Sequence, residues 1–221
     1  MKLYHWKPAP NCRRVLVFLA EKGIGIPPLE EVGEGFGLRP DYVQRYAAAV
    51  VPMLELDDGT QIGEAMAICR YFEALYPEPA LMGTTVLEVA VADMWERRAY
   101  ELGLTGVGEI FRNTHPEFKN RSLPVYGDRL PQIPALVERG QWRLRRFFEL
   151  FDAQLGVNAF VAGPRYTVAD ITALCSIGFA ELAKLQIPEQ YRNLRRWYKD
   201  VSSRPSAAVE GYDIASRSFP P

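Results

Sequence analysis

Cysteine and histidine are scarce in this chain, and their scarcity argues against two kinds of site. The 221 residues contain three cysteines, Cys12, Cys69 and Cys175, and two histidines, His5 and His115. Three widely spaced cysteines do not make the even-numbered set of a disulfide framework, and two separated histidines do not indicate a zinc site. We therefore expect no metal ion. We also expect a reducing, cytoplasmic location, because the cysteines do not form a disulfide framework.

An excess of charge of either sign and a long apolar run are also missing. The 26 basic and 27 acidic side chains give a formal net charge of −1, so no overall basic field favours nucleic acid. No stretch reaches the roughly 18 apolar residues that a membrane-spanning helix requires. The first residues lack the basic and then apolar layout of a secretory signal. We expect neither a nucleic acid nor a membrane as a partner.

Apolar residues make up 48% of the chain, which is enough for a core, and they fall in short alternating elements through residues 1–80. They alternate in the expected strands and recur at helical spacing in the expected helices. The turn signal Asp57-Asp58-Gly59 predicts a hairpin between the last two strands. The predicted order is strand 2–5, helix 11–22, strand 29–32, helix 41–45, strand 53–56, a return strand from residue 61, and helix 64–76.

Beyond Pro77-Glu78-Pro79 the strand signal ends and helical spacing replaces it. A loop is predicted over 114–133, and helices are predicted over 86–113, 134–155, 167–183 and 188–201. Thr167 and Asp170 form a capping-box pattern, because the hydroxyl and the carboxylate can each accept a hydrogen bond from an unpaired amide. The predicted fold class is an α/β domain followed by an all-α domain, with the boundary near residues 78–86.

Four stretches of the sequence, taken in their order and spacing, resemble the cytosolic glutathione transferases, and the resemblance covers nearly the whole chain. They lie at residues 2–4 with 9–15, at 51–55, at 63–72 and at 167–170. In that family they form the first strand with its catalytic loop and helix, a loop with a cis proline, the γ-glutamyl-binding turn, and a capping box in the second domain. The resemblance implies a thioredoxin-like glutathione-binding domain at 1–80. It also implies an all-helical domain at 86–221 with the hydrophobic substrate site and the contacts of a homodimer.

The activity implied by the resemblance is that of a glutathione transferase, with glutathione as co-substrate. The glutathione thiolate would act on a small hydrophobic electrophile, a peroxide or a disulfide. Ala9 stands where the family places a catalytic serine or cysteine, and the motif Ala9-Pro10-Asn11 is instead similar to that of the bacterial nu-class enzymes. This similarity implies that Asn11 is the catalytic residue, with its amide NH₂ hydrogen-bonded to the sulfur. The alternative is that Asn11 only caps the first helix.

Three more positions are implied to bind glutathione, namely the backbone of Val51, Glu64, and the backbone amide of Ala65. Helices that begin near Asn11 and Glu64 direct their positive ends outward, where they suit a thiolate and a carboxylate respectively. In the family the bond before Pro52 is cis. A cis bond here would let the Val51 backbone pair with a bound peptide as a strand does.

Some side chains that the family uses to hold glutathione are missing. Ala65 lacks the hydroxyl that a serine offers to the γ-glutamyl carboxylate, and Val50 replaces a polar residue. Arg39 or Arg45 could compensate near the glycine carboxylate. Together with Ala9, these departures leave a second function open, that of a non-catalytic interaction or regulatory protein that keeps the fold.

The hydrophobic substrate pocket is expected to include Trp6, Tyr100 and Leu104. His5 at the end of the first strand and Trp6 after it could line the acceptor pocket, while Tyr100 and Leu104 lie on the long helix of the second domain. In this fold one face of that helix forms a wall of the substrate site. Aromatic and aliphatic residues at helical spacing also fit a packed core, so core packing is the alternative for these helix residues.

Cys12 provides a third, minor function to consider. It lies at a helix N-terminus beside Arg13 and Arg14, where the pKa of a thiol should fall, and a low thiol pKa would permit redox chemistry. The alternative is that its side chain packs between helix and sheet. Cys69 and Cys175 lie in apolar helix patterns and are expected to be packed.

Overall fold

The computed structural model describes residues 1–34, 37–46, 48–120 and 130–209. Two predicted segments, the loop 114–133 and the end of the domain 86–221, therefore lie partly outside the described residues. Within these ranges the chain forms a mixed α/β half followed by a helical half, as the sequence predicts. No helix in them is both long and apolar enough to cross a membrane.

A four-stranded mixed sheet organises the first half. The elements are β1 Lys2–His5, α1 Pro10–Lys22, β2 Leu29–Glu31, β3 Gly33–Glu34, β4 Gly37–Leu38, α2 Pro40–Arg45, β5 Met53–Glu55, β6 Gln61–Gly63 and α3 Ala65–Leu75. The strand order is β2-β1-β5-β6, with β1 parallel to β2 and β5 antiparallel to both β1 and β6. The predicted strands and helices are confirmed. The short ribbon of β3 and β4 was not predicted, because two-residue strands leave no periodic pattern.

Burial of one apolar face holds α1 and α3 against each other and against the sheet. Leu3 on β1, Val15 and Phe18 on α1, and Ile68 on α3 are all fully buried. Each such side chain contributes about 1.5–3 kcal/mol relative to an exposed one. Helix α1 ends at Gly23, whose φ of 65° is the left-handed conformation that glycine adopts without steric cost. The N-terminus of α1 follows the carboxyl end of β1, an inner strand of the sheet.

One continuous helical rod begins the second half and matches the predicted helix 86–113. Helix α4 Val86–Arg98 passes into a π-helical segment, Ala99–Leu104, and then into α5 Thr105–Thr114. The π segment lies close to its neighbours, since a Cβ added at Gly103 would come within 2.6 Å of the Ser176 hydroxyl oxygen. The remaining helices are α6 Pro134–Leu155, α7 Val168–Leu182 and α8 Arg192–Ser202.

Helix α8 begins four residues later than the predicted start at residue 188. Residues 188–191 form a turn first, in which the Tyr191 amide donates to the Pro188 carbonyl oxygen at 3.2 Å. Proline fits the first turn of a helix as well as it fits this turn, so the sequence pattern could not separate the two.

The predicted capping box starts α7 in the buried centre of the helical half. The Thr167 hydroxyl accepts from the Ala169 amide at 3.3 Å, and the Asp170 carboxylate accepts from the Thr167 amide at 2.9 Å. Asp170 also accepts from the Val161 amide at 2.9 Å and from the Trp197 indole at 3.0 Å. The Thr167 hydroxyl also donates to the Asp170 carboxylate at 3.2 Å. Burial raises the pKa of Asp170 to about 6, although these four hydrogen-bond donors oppose the rise. The carboxylate therefore joins three segments of the helical half.

A buried lysine, Lys22, holds the segment that connects the two halves. The Lys22 ammonium donates to the carbonyl oxygens of Tyr76 at 2.8 Å and Pro79 at 2.7 Å, and it pairs with Glu73. The Glu73 carboxylate in turn accepts the backbone amides of residues 81–82 at 3.0 and 3.1 Å. The segment that carries the chain from one half to the other is thus held at both its ends.

Candidate functional site

A cleft of about 780 Å³ lies between the two halves. On one side it is lined by the residues that lead into α1, by the loop 49–51, and by the start of α3. On the other side it is lined by the rod 86–114 and by the end of α7. The N-terminal ends of two helices therefore meet an aromatic and apolar wall.

The first turn of α1 is open towards this cleft. Ala9 is the N-cap residue and provides no side-chain cap, and Pro10 follows, where its missing N–H leaves no donor unpaired. Asn11 therefore lies inside the first turn and does not cap the helix, so the cap-only alternative is wrong. Its backbone N–H has no hydrogen-bond partner among the described residues.

A buried ion pair between the halves holds the side chain of Asn11. Arg14 Nη1 donates to Asn11 Oδ1 at 3.0 Å, Arg14 Nε donates to Thr172 Oγ1 at 3.0 Å, and Arg14 Nη2 pairs with Glu96. A guanidinium has only donors, so the Asn11 amide oxygen faces it and the amide NH₂ is left over. This NH₂ has no partner in the described part of the chain. Burial raises the pKa of Glu96, while Arg14 opposes the rise.

The loop before β5 and the start of α3 form the neighbouring part of the cleft. The Val51–Pro52 peptide bond is cis, and Val51 lines the cleft. Glu64, the N-cap residue of α3, has a φ of 62°, which is uncommon outside glycine, and no side chain caps this helix. Ala65 follows, is buried, and also lines the cleft. The first amides of α3 are thus available to a ligand.

Arg39 and Arg45 are occupied elsewhere, so the structure gives no support to the idea that they bind a carboxylate in the cleft. Arg39 Nη2 lies 3.1 Å from Glu30 and 3.0 Å from Asp41. Arg45 Nη2 lies 2.6 Å from Glu55. Neither arginine lines the cleft.

The predicted pocket residues do not all lie together. Trp6 and Tyr100 line the cleft. Leu104 lines instead an adjoining cavity of about 490 Å³, which shares Asn11 and Tyr100 with the cleft. His5 does not line the cleft, because it lies within β1 and is buried there, and burial lowers its pKa. The core alternative is therefore wrong for Tyr100.

The expected low thiol pKa of Cys12 is wrong. Cys12 is buried, its sulfur accepts from the Trp6 amide at 3.4 Å, and burial raises its pKa to about 12. Loss of hydration outweighs the hydrogen bond from the Trp6 amide, which acts to lower the pKa. All three cysteines are buried and free, so the redox function loses its support. Within the described ranges no three His, Cys, Asp or Glu side chains are grouped so that they could hold a metal.

The far wall of the cleft contains residues that the sequence analysis did not assign to the pocket; Phe111 lies in the long predicted helix, where its spacing favoured the core. Phe111 packs edge-on against Phe179 with ring centroids 5.5 Å apart, and its ring is tilted against that of His115 with centroids 4.9 Å apart. Arg112 and Lys184 bring two cations to the same wall. The only sequence signal was the position of Phe111 and Arg112 at the end of the long predicted helix. These residues meet the end of α7, which lies some 70 residues further along the chain, and no local sequence pattern predicts such a distant contact.

Comparison with known proteins places both halves in one family. The sequence profile of the glutathione S-transferase N-terminal domain matches residues 3–80, and the profile of the C-terminal domain matches residues 114–205. Glutathione S-transferase 2 of Saccharomyces cerevisiae is 33% identical over 216 residues, which cover 93% of this chain and 87% of that protein.

Two solved structures share the fold at similar identity. A glutathione S-transferase domain-containing protein from Marinobacter aquaeolei is 33% identical with a TM-score of 0.83, over 93% of this chain and 99% of that one. Gtt2 from Saccharomyces cerevisiae is 31% identical with a TM-score of 0.84, over 95% and 100%. Identity above 30% along almost the full length of these proteins, with both domain profiles matched, shows that the chain belongs to the glutathione S-transferase family.

Proposed function

We propose that the protein is a glutathione transferase that holds glutathione in the cleft and presents its sulfur to an electrophile. Glutathione supplies the nucleophilic thiolate, and the chain supplies binding, orientation and electrostatic stabilisation. The observation that carries the proposal is the Asn11 amide, fixed through its oxygen by Arg14 so that its NH₂ is left for the cleft. The likeness of the Ala9-Pro10-Asn11 motif to the nu class remains a prediction.

The start of α1 provides the groups that would stabilise a thiolate. The Asn11 side-chain NH₂ and the Asn11 backbone N–H are two donors without protein partners among the described residues. The positive end of the helix adds a favourable field, and donors and positive charge lower the pKa of a bound thiol. The Arg14 guanidinium stands behind the amide and orients it. The thiol proton leaves to solvent.

The start of α3 and the cis-proline loop would hold the peptide part of glutathione. The Ala65 amide at the α3 N-terminus suits the γ-glutamyl carboxylate, and the Val51 backbone would pair with the cysteinyl part. Ala65 cannot add a hydroxyl donor, and a charge-assisted hydrogen bond is worth about 1.5–3 kcal/mol. We therefore propose that glutathione binds, but about tenfold or more weakly than it would with a serine at this position.

Transfer to an electrophile is the reaction type that the site supports best. Reduction of a disulfide through a mixed disulfide with the protein needs an accessible thiolate of the chain. The cysteines are buried, and burial raises the pKa of Cys12 to about 12. The first half would bind glutathione, while the helical half would bind the acceptor against Tyr100 and Phe111.

We also propose that the protein is a homodimer of the cytoplasm. The first turn of α4 presents Val86 and Leu87, which are 91% and 73% exposed, and Val89 and Met94 are exposed along the same helix. Large apolar side chains exposed together along one helix are typical of a contact surface. The free cysteines fit a reducing compartment.

The proposed function is tested by glutathione binding and turnover. Calorimetry with millimolar glutathione should show weak binding, and Ala65→Ser should tighten it. With 1-chloro-2,4-dinitrobenzene as the acceptor, Asn11→Ala should lower the rate at least about tenfold, the worth of one hydrogen bond to a charged atom. Cys12→Ala is the matched control in the same turn and should leave the rate nearly unchanged.

The opposite results have a clear meaning. Absence of both binding heat and thermal stabilisation at millimolar glutathione would contradict the enzymatic proposal and favour the non-catalytic interaction protein. A larger loss in Cys12→Ala than in Asn11→Ala would show that the wrong residue was chosen.

A further inference from the structure

Two cations on the far wall of the cleft have no carboxylate partner among the residues that the structure describes. Arg112 lies in the last turn of α5, and Lys184 lies just beyond α7. Both line the cleft, and neither forms an ion pair within the described residues. Among the described lining residues, the only carboxylate is Glu64, which belongs to the opposite side at the start of α3. The acceptor side of the cleft is therefore positively charged.

The carboxylate nearest to Arg112 along its helix is already engaged. Glu109 lies one turn earlier, and Arg139 Nε donates to its Oε1 at 3.0 Å. Arg143 Nε lies 3.6 Å from the other oxygen. The Arg112 side chain is exposed where it lines the cleft, so its guanidinium is accessible to an anionic ligand, with which it can form charge-assisted hydrogen bonds.

Arg112 and Asn11 share an unusual position. Both line the cleft and the adjoining 490 Å³ cavity, and so do Tyr100 and Phe179. The Asn11 amide, which is proposed to hold the glutathione sulfur, and the Arg112 guanidinium therefore both lie at the junction where the cleft meets the adjoining cavity. Two of the residues that line both cavities, Tyr100 and Phe179, are aromatic, and Phe111 packs edge-on against Phe179 with ring centroids 5.5 Å apart. A flat ring at this junction would have aromatic contacts and a cation at its rim.

We propose that the acceptor is an aromatic electrophile that carries a carboxylate, and that Arg112, assisted by Lys184, binds this carboxylate. The proposal rests on the proposed function and specifies its substrate class. The reaction at such an acceptor is a substitution. The glutathione sulfur forms a C–S bond to a benzylic carbon, the bond from that carbon to its halide breaks, and the halide leaves with the electron pair. The thiol proton has already gone to solvent.

The test compares 4-(chloromethyl)benzoate with its methyl ester, each corrected for its uncatalysed rate. In the unmodified protein kcat/KM should favour the carboxylate at least about tenfold, the usual worth of a charge-assisted hydrogen bond. Arg112→Gln should remove most of this preference, and Lys184→Gln should reduce it. Arg195→Gln removes an exposed cation of α8 that lines neither cavity and is the matched control. It should leave the preference unchanged.

Calorimetry gives a readout that does not depend on turnover. The thioether conjugate of glutathione that carries the carboxylate should bind about tenfold more tightly than its methyl ester, and only in proteins that retain Arg112. Equal affinities, or a preference that survives Arg112→Gln, would overturn the inference.

Two further outcomes separate the possible failures. Turnover of both acceptors without a preference contradicts the inference and leaves the proposed function standing, whereas turnover of neither contradicts the proposed function. If Arg112→Gln raises the KM of glutathione equally with both acceptors, the arginine binds a glutathione carboxylate, and the inference is wrong.

Discussion

At the scale of single residues, Arg14 decides which atom of Asn11 is available to a ligand. Its guanidinium contacts Asn11 on its own helix together with Glu96 and Thr172 of the helical half. An asparagine amide that was free to rotate would present its oxygen to the cleft part of the time, and an oxygen repels a thiolate. Arg14 is therefore a positioning residue that acts through Asn11.

Arg14→Lys tests this role, because lysine keeps the charge but cannot reach three acceptors in a fork. We expect kcat to fall several-fold, the pKa of bound glutathione to rise, and the KM of glutathione to change little. The pH dependence of kcat and the ultraviolet absorbance of the bound thiolate measure these effects. In an Asn11→Ala background the same substitution should have almost no further effect. A full additional loss there would show that Arg14 supports only the fold.

The residues of the site fall into two groups, according to how far along the chain the residues that they depend on lie. Asn11, Val51, Glu64 and Ala65 could be placed from short local motifs, and all four line the cleft. Arg14 could not be placed, because its role depends on partners in the helical half, more than 80 residues away. Arg112, Lys184 and Phe179 escaped notice for the same reason.

At the scale of elements, helix ends and the π segment explain both the successes and the misses. The capping box at Thr167 was recognised, whereas the same pattern at Thr85, with Glu88 three residues later, was overlooked although the structure forms it. The π segment Ala99–Leu104 has no recognisable signal in the sequence. It changes the direction of side chains along the rod, and Leu104 points into the adjoining cavity and not into the cleft with Tyr100.

The start of α7 leads to a prediction about pH. Burial raises the pKa of Asp170 to about 6, from an ordinary value of 3.8. Between these two pH values the folded protein keeps a proton that the unfolded chain has lost. The contribution of this group to the free energy of unfolding should therefore fall as the pH rises from about 4 to about 6, and stay level above that.

Carboxyl-carbon NMR of the aspartates measures this titration directly, with Asp170→Asn used to assign the resonance. We expect a midpoint near pH 6 for Asp170. A midpoint at or below the ordinary value would mean that the four hydrogen-bond donors outweigh the loss of hydration, and the predicted pH dependence would then reverse in sign.

At the scale of the whole molecule, the exposed start of α4 predicts self-association. Val86→Glu combined with Leu87→Glu places two carboxylates in the first turn of the helix, where the helix dipole tolerates them, so the subunit itself should stay folded. Loss of two large apolar contacts should weaken the dimer more than tenfold. Sedimentation velocity over a range of concentrations measures the change.

Val157→Glu is the control for that experiment, because Val157 is also exposed but follows α6, away from this patch. It should leave the association unchanged. A monomeric unmodified protein, or a dimer unaffected by the α4 substitutions, would contradict the proposed contact surface.

The hydrogen bonds that Lys22 donates to the segment between the halves affect where the chain can be cut. Segments between domains are ordinarily the places where proteases cut and where genes can be split. Here the carbonyl oxygens of Tyr76 and Pro79 are held by an ammonium that belongs to α1. The connecting segment therefore cannot adopt the extended form that a protease needs unless α1 and α3 are disturbed as well. Although the two halves differ in architecture, we expect that they cannot be encoded, produced or degraded as separate fragments.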